Sequence, residues 1–205
     1  MKPVFYVGAL IGICLFASCQ RQQLGPQAYM NWIAEEAEEL QVERQMGAFV
    51  YKLRYLPVEQ QVLSYVDDLE DHKALKSELE KRTGNLTFQI LIETLDKSFP
   101  VLKYGLSDAQ GYRERMDYLL KEMKRDIFLI RDGDSLAPAL FHFEQTYDLA
   151  PYVSCLVSFE DPKIAGDDQV LLFNDQHFGS GPIKFPFSQQ KIALLPQLKL
   201  NDHEN

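Results

Sequence analysis

The sequence predicts an α+β fold, an antiparallel β-sheet or sandwich with about two main helices packed against it. The chain has 205 residues, which is enough for one domain of ordinary size. Its 13 Phe and 10 Tyr favour a β-rich core, because aromatic side chains fit a half-buried pleated surface. The predicted elements do not alternate regularly between strand and helix, which is typical of α+β rather than α/β proteins.

The first half of the chain predicts a helix, a hairpin and a longer helix. Residues 28–40 carry apolar side chains near helical spacing and predict a short helix. Two strands are predicted around Gly47, and the second alternates like a half-buried strand. Pro57 ends this strand and starts a helix predicted over 58–82, which the following Gly84 terminates.

The second half is richer in strands. Residues 86–95 are apolar enough for a central strand. Ser107 is predicted to be the cap of the second main helix and Asp108 its first residue. From residue 126 onward strand follows strand, beginning with a hairpin whose turn is RDGDS and whose second strand is LAPALFHFEQTY. Pro138 and Pro186 place their segments at sheet edges or strand ends.

The chain begins with a hydrophobic leader, MKPVFYVGALIGICLFAS. Lys2 supplies a positive start, and residues 4–17 contain no charge. A membrane-spanning helix needs about 20 apolar residues, so this run has the length of a signal-peptide core instead. A short anchor helix or a buried helix is the alternative, which the polar segment after Cys19 disfavours.

The end of the leader, Leu15-Phe16-Ala17-Ser18-Cys19, resembles the lipobox of bacterial lipoproteins. Ala17 and Ser18 match the two small positions before the cysteine, while Phe16 stands where Leu is usual. The resemblance implies cleavage between Ser18 and Cys19 and lipidation of Cys19, which would attach the protein to a membrane outside the cytoplasm. Gln20 after the cysteine implies the outer membrane if the source is Gram-negative.

The resulting organisation is a signal peptide over 1–18, a lipidated tether over 19–28, one globular domain over 29–199 and a polar tail over 200–205. Three cysteines occur in the sequence. Cleavage would remove Cys14 and lipidation would occupy Cys19, which leaves Cys155 without a disulfide partner. Because Cys155 lies in an apolar strand, we expect it to be buried and to pack as a small hydrophobe.

The formal net charge is −9, and no Lys- or Arg-rich run reverses it locally. Such a surface repels phosphate backbones, so nucleic acid is not an expected partner. The sequence also lacks G-x-G-x-x-G, a P-loop, CxxC and His-x-x-x-His, and it therefore predicts no cofactor and no zinc site. The predicted partners are the membrane, through Cys19, and other envelope proteins.

One loop contains the residue types of a hydrolytic triad, namely Asp175, His177 and Ser180. The motif G-x-S-x-G is absent, however, and no strand-to-helix elbow follows. We therefore interpret this loop as a glycine-containing hairpin in which Phe178 fills the core and the glycines adopt positive φ.

Two further groups of polar residues contain the residue types of a catalytic or calcium site but do not match a known sequence motif for either. His142 and Glu144 share one face of a predicted strand, with Arg131 a possible neighbour across the hairpin. Four aspartates crowd two loops and could supply oxygen ligands to calcium, although the EF-hand spacing fails: Asp161, Asp167, Asp168 and Asp175. Surface charges and turn chemistry account for both groups.

The sequence thus predicts a lipid-anchored envelope protein that acts as a non-enzymatic interaction, assembly or ligand-binding module. The alternative is a membrane-anchored hydrolase or glycan-processing enzyme that uses Asp175, His177 or Glu144.

Overall fold

A computed structural model describes residues 21–97, 99–145, 150–160 and 169–201. The strands are β1 (Gln23–Leu24), β2 (Gln41–Met46), β3 (Phe49–Tyr55), β4 (Asn85–Thr94), β5 (Ile127–Arg131), β6 (Asp134–Leu136), β7 (Leu140–Glu144), β8 (Val153–Glu160), β9 (Gln169–Asp175), β10 (Gly181–Phe187) and β11 (Gln197–Leu198). The helices are α1 (Pro26–Glu36), α2 (Val58–Tyr65), α3 (His72–Arg82), α4 (Ala109–Asp117) and α5 (Gln189–Ala193). The predicted α+β class is confirmed.

Two antiparallel sheets form the body of the domain. The larger sheet has the strand order β2-β3-β4-β8-β7, and the smaller has the order β10-β9-β5-β6. The side chains between them make one hydrophobic core, in which Phe88, Ile90, Phe159 and Phe173 are fully buried. Of the two predicted arrangements, a sheet or a sandwich, this is the sandwich, in which each sheet buries the apolar side of its alternating strands.

A second, smaller hydrophobic cluster joins α1, α2 and α3. Its buried members are Tyr29, Ile33, Val62, Leu63 and Leu75. Strands β1 and β11 pair in parallel beside it, and they contribute Leu24 and Leu198 to its partly buried rim. The helical cluster therefore holds the two ends of the described chain together.

The long helix predicted over 58–82 is two helices. Helix α2 ends at Tyr65, and Val66 is extended. Helix α3 begins after Asp71, whose side chain accepts a hydrogen bond from the backbone N–H of Ala74. A side-chain cap of this kind marks a helix start, so the acidic residues before His72 interrupt the apolar stripe instead of continuing it.

The strand predicted after the RDGDS turn is divided between the two sheets. Residues Asp134–Leu136 pair with β5, as the hairpin predicts. After Pro138 the chain crosses to the larger sheet, where Leu140–Glu144 pairs with β8. Pro186 lies on β10, an edge strand of the smaller sheet, where its missing N–H leaves no central ladder position unpaired.

The tether expected over residues 19–28 is partly secondary structure. Gln23–Leu24 pair with β11, and α1 begins at Pro26. The ordered domain therefore starts several residues before the predicted boundary at residue 29.

Candidate functional site

The loop that carries the residue types of a triad is a tight turn after β9. Asp175 is only 3% exposed at its start. Its carboxylate accepts hydrogen bonds from the backbone N–H groups of His177 (3.1 Å), Phe178 (2.8 Å) and Ser180 (2.8 Å). The aspartate therefore organises the backbone of its own turn, as aspartates in such positions commonly do.

Tyr51 on β3 completes this cluster from the opposite sheet. Its hydroxyl donates to Asp175 Oδ2 at 2.8 Å and also lies 2.8 Å from Ser180 Oγ. Burial is the main reason that the pKa of Tyr51 is raised far above its ordinary value. The hydroxyl is thus a neutral donor that ties the turn to the larger sheet.

His177 does not connect Asp175 to Ser180. Its ring is exposed and stacks on Tyr118, with ring centroids 4.0 Å apart. Its backbone N–H, not its imidazole, is the group that contacts Asp175. The three residues do not form a nucleophile–base–acid relay, because the base would have to bridge the other two side chains.

A buried arginine supports the same turn. Arg115 on α4 is 7% exposed, and its guanidinium donates to the backbone carbonyls of Val101 (2.9 Å), Leu102 (3.2 Å) and Tyr104 (2.9 Å). It also lies over the ring of Phe178, 5.0 Å from the centroid. Burial lowers the pKa of Arg115, although the negative charge of Asp175 opposes this. Phe178 is buried, as the sequence predicts.

The other predicted residues do not join this turn. Glu144 and His142 lie on β7 in the larger sheet, so Arg131 on β5 is not their neighbour across a hairpin. Asp161, Asp167 and Asp168 lie outside the described residues. Within the described part of the chain, no group of three or more His, Cys, Asp or Glu could hold a metal ion.

Cys155 lies in the core, as expected from its apolar strand. It is fully buried, and its Sγ lies 3.6 Å from Met123 Sδ. Burial raises the pKa of its thiol far above the ordinary value, so the thiolate is disfavoured. Cys19 and Ser18 lie outside the described residues.

A second candidate site is a groove on the outer face of the larger sheet, away from the core. Strand pairing places Arg54, Gln89, Leu156 and His142 in one cross-strand row. Alternation along β3 turns Tyr51 and Leu53 into the core and Arg54 to this outer face. The next row along includes Glu144, opposite Ser154.

Helices α2 and α3 form the other wall of this groove, which we call the outer groove. Its volume is about 460 Å³. The helical lining is largely polar and comprises Gln60, Gln61, Ser64, Tyr65 and Arg82. Leu56 and Leu156 add an apolar floor. A volume of this size falls within the range of small-ligand sites.

Several polar groups of the outer groove are already paired. Gln89 donates to Ser154 Oγ at 3.0 Å, and Gln61 donates to the carbonyl of Leu56 at 2.8 Å. Arg82 forms an ion pair with Glu78, and its guanidinium lies 4.7 Å from the centre of the Tyr65 ring. These contacts fix the walls of the groove.

Among the groups lining the outer groove, the side chains of Arg54, Gln60 and Glu144 are not paired with any other residue that the structure describes. Arg54 Nε and Gln60 Oε1 are buried atoms without a hydrogen-bond partner. Glu144 has neither a hydrogen bond nor an ion pair within the described ranges. A buried donor or acceptor without a partner costs about 1–3 kcal/mol, so such atoms in a cleft indicate a place where something else binds.

A larger, shallower depression of about 610 Å³ lies beside the start of α4. Three of its polar side chains are occupied: Asp108 accepts from the N–H of Gly111 at 2.8 Å, and Lys103 and Tyr112 are engaged in interactions of their own. The exposed Phe99 forms its apolar side. The outer groove is therefore the better candidate site.

The outer groove is not predicted from the sequence. Its signal is present in β3 and β4, where polar Arg54 and Gln89 each lie between two residues that pack in the core or against it. Two adjacent glutamines, Gln60 and Gln61, start the polar side of α2. What cannot be read locally is that α2 packs along this face of the sheet.

No protein-family model matches the chain, and neither a curated protein nor a solved structure matches it. None of the helices in the described ranges is long and apolar enough to cross a membrane.

Proposed function

We propose that this chain is a lipid-anchored protein of the bacterial cell envelope that binds a small or extended ligand in its outer groove and does not catalyse a reaction. The observation that carries the binding function is the set of unpaired polar groups in that groove, Arg54, Gln60 and Glu144. The lipobox resemblance at Leu15–Cys19 supports the anchor. If the source is Gram-negative, Gln20 directs the protein to the outer membrane.

The polar groups around Asp175 favour binding over hydrolysis. A general base needs a side-chain nitrogen or oxygen within reach of the nucleophile's proton. At this turn the carboxylate is occupied by three backbone N–H groups and by Tyr51. Glu144, the other acid considered for a hydrolase, lies in the other sheet. No observation favours the enzymatic alternative over the binding module.

The anchor is tested by exchanging each leader cysteine separately. Cys19→Ala is expected to abolish lipidation and to shift the protein out of the membrane fraction, because two or more acyl chains are needed for durable attachment. Mass spectrometry of the wild-type membrane fraction should find an N-terminal peptide that begins at an acylated Cys19.

Cys14→Ala is the matched control and is expected to change neither processing nor fractionation, since Cys14 leaves with the leader. An intact chain that retains Met1 and stays in the cytosol would contradict the anchor. Equal effects of both cysteine substitutions would contradict it as well.

A further inference from the structure

The unpaired groups of the outer groove specify the chemistry of a ligand. Arg54 presents a guanidinium whose Nε–H is buried without an acceptor. A guanidinium is a planar fork of donors that matches a carboxylate. The other arginine of the groove, Arg82, is already neutralised by Glu78. Arg54 is therefore the cation left to receive an anion.

The opposite side of the groove requires a donor. Glu144 is a carboxylate with no partner among the described residues, and it suits a positively charged amine. Gln60 Oε1 is a buried acceptor that lines the same groove and suits an N–H group of the ligand. A ligand that satisfies all three carries a carboxylate, an amide and an ammonium group.

The strand register sets the length of that ligand. Arg54 and Glu144 lie three strands apart, on β3 and β7, and two residues out of row. At about 4.8 Å per strand and about 3.4 Å per residue, their Cα atoms are about 16 Å apart. Side chains stand roughly perpendicular to a sheet, so the two charged groups are also about 16 Å apart. Hydrogen bonds of about 2.9 Å at the two ends leave roughly 10 Å, which an extended peptide of about three residues spans.

We propose that the outer groove binds the free C-terminal carboxylate of a short peptide at Arg54 and an amine of the same peptide at Glu144. The apolar floor of Leu56 and Leu156 receives its side chains. This inference rests on the proposed binding function and assigns it a ligand class. A single free amino acid is too short to reach both charges.

The test titrates full-length protein in detergent micelles with tri-alanine by isothermal calorimetry. Two matched probes each remove one charge: tri-alanine with a C-terminal amide and tri-alanine with an acetylated amino group. We expect tri-alanine to bind and each blocked peptide to bind between about tenfold and a hundredfold more weakly, since each loses one charge-assisted contact.

Two groove variants assign each charge to its residue. Arg54→Met should bind the acid and its amide equally, and Glu144→Gln should bind the free and acetylated amines equally. Arg113→Gln removes one exposed cation from α4, and it should retain the full preference for the free acid. Thermal unfolding of every variant shows whether it is folded.

Equal binding of all three peptides to the wild-type protein would overturn the proposal. So would the absence of heat with any of them, or an acid preference that survives in Arg54→Met. In those cases the anchor, tested separately through Cys19, stands or falls on its own result.

Discussion

The Asp175 turn and the outer groove both bury polar atoms, but they differ in whether those atoms are paired. At the turn, one carboxylate meets three backbone N–H groups and a tyrosine hydroxyl. In the groove, Arg54 Nε and Gln60 Oε1 meet no partner within the described part of the chain. The residue types that resemble a catalytic set are thus occupied in holding the fold, and the residues without a motif have free hydrogen-bonding capacity.

The difference in pairing predicts which polar groups stabilise the fold and which are available to a ligand. A fully satisfied buried polar network fixes a local structure, whereas an unpaired buried group destabilises the fold until a ligand meets it. Groups retained at such a cost are expected where a protein binds something. Substitutions in the two regions should therefore have opposite effects on stability.

The largest effect is expected from Asp175→Ala. It leaves three backbone N–H groups and the Tyr51 hydroxyl without their acceptor in a site that excludes water. We expect a loss of about 3 kcal/mol in the free energy of unfolding, or about 6–12 °C in Tm, measured by thermal denaturation.

The matched control is Asp117→Ala on α4. Asp117 is an exposed acid that pairs only with Lys121, four residues along the helix. Its removal should change stability by about 0.5 kcal/mol or less. If Asp175→Ala unfolded at the same temperature as this control, the turn would not be the structural element that its hydrogen bonds indicate.

A smaller effect of opposite sign is expected from Arg54→Met. The substitution keeps an aliphatic chain of similar length and removes the buried Nε–H that lacks an acceptor. We expect stability without ligand to rise by about 1 kcal/mol, or about 2–4 °C in Tm.

Lys52→Met is the control, and we expect it to change Tm in the opposite direction. Lys52 lies on the same strand as Arg54 and on the same face of the sheet. Lys52 forms an ion pair with Glu93 at 2.6 Å, and both side chains are largely buried. Its removal leaves the largely buried Glu93 with only the exposed Lys97, at 3.7 Å, among the described residues, and should lower Tm. If both substitutions changed Tm in the same direction, the paired and unpaired cations of this face would not differ in their effect on stability, and the prediction would be wrong.

The smallest expected effect is the change in the pH dependence of Tm when Glu59 on α2 is substituted. Its carboxyl is partly buried and only partly compensated by its neighbours, unlike the fully paired Asp175 and the unpaired Arg54. Burial raises the pKa of Glu59, while its own backbone N–H, Arg21 and the Tyr29 hydroxyl partly oppose the shift. A raised folded-state pKa means that the folded protein binds more protons than the unfolded chain. Glu59 therefore stabilises the folded protein at pH values below its pKa in the unfolded chain. This stabilisation is lost as the pH rises through the pKa of Glu59 in the folded protein.

Glu59→Gln should therefore gain in Tm relative to the wild-type protein as pH rises from 4 to 7. Glu78→Gln should behave in the opposite way, because hydrogen bonds from Arg82 and then Lys81 lower the pKa of Glu78. The stability that Glu78 contributes is present at neutral pH and is lost as pH falls. Thermal unfolding across this range checks both variants, and parallel curves would contradict the two assignments.

Local patterns predict the elements whose structure depends on near neighbours. The alternation of β3 predicts both the core side of Leu53 and the outer side of Arg54. The predicted start of α4 is one residue too early: Asp108, not Ser107, is the cap, since its side chain accepts from the N–H of Gly111. In each case the determining contacts lie within a few residues along the chain.

Features that depend on distant contacts are not predictable in this way. The partner of Asp175 is Tyr51, 124 residues earlier in the chain. The crossing of β7 to the larger sheet depends on β8 being available to pair with it, which no local signal shows. The outer groove depends on how α2 packs, and for the same reason its polar lining residues carry no motif.

The parallel pairing of β1 with β11 has a mechanical consequence for an anchored protein. Backbone hydrogen bonds from Gln197 to Gln22 and from Lys199 to Leu24 join the first described strand to the last. If Cys19 carries the lipid, at most about 14 Å of extended chain separates the anchor from this pair. A force on the domain away from the bilayer would then act first on β1 and on its hydrogen bonds to β11. The pairing with β11 would resist this force before it reached the outer groove.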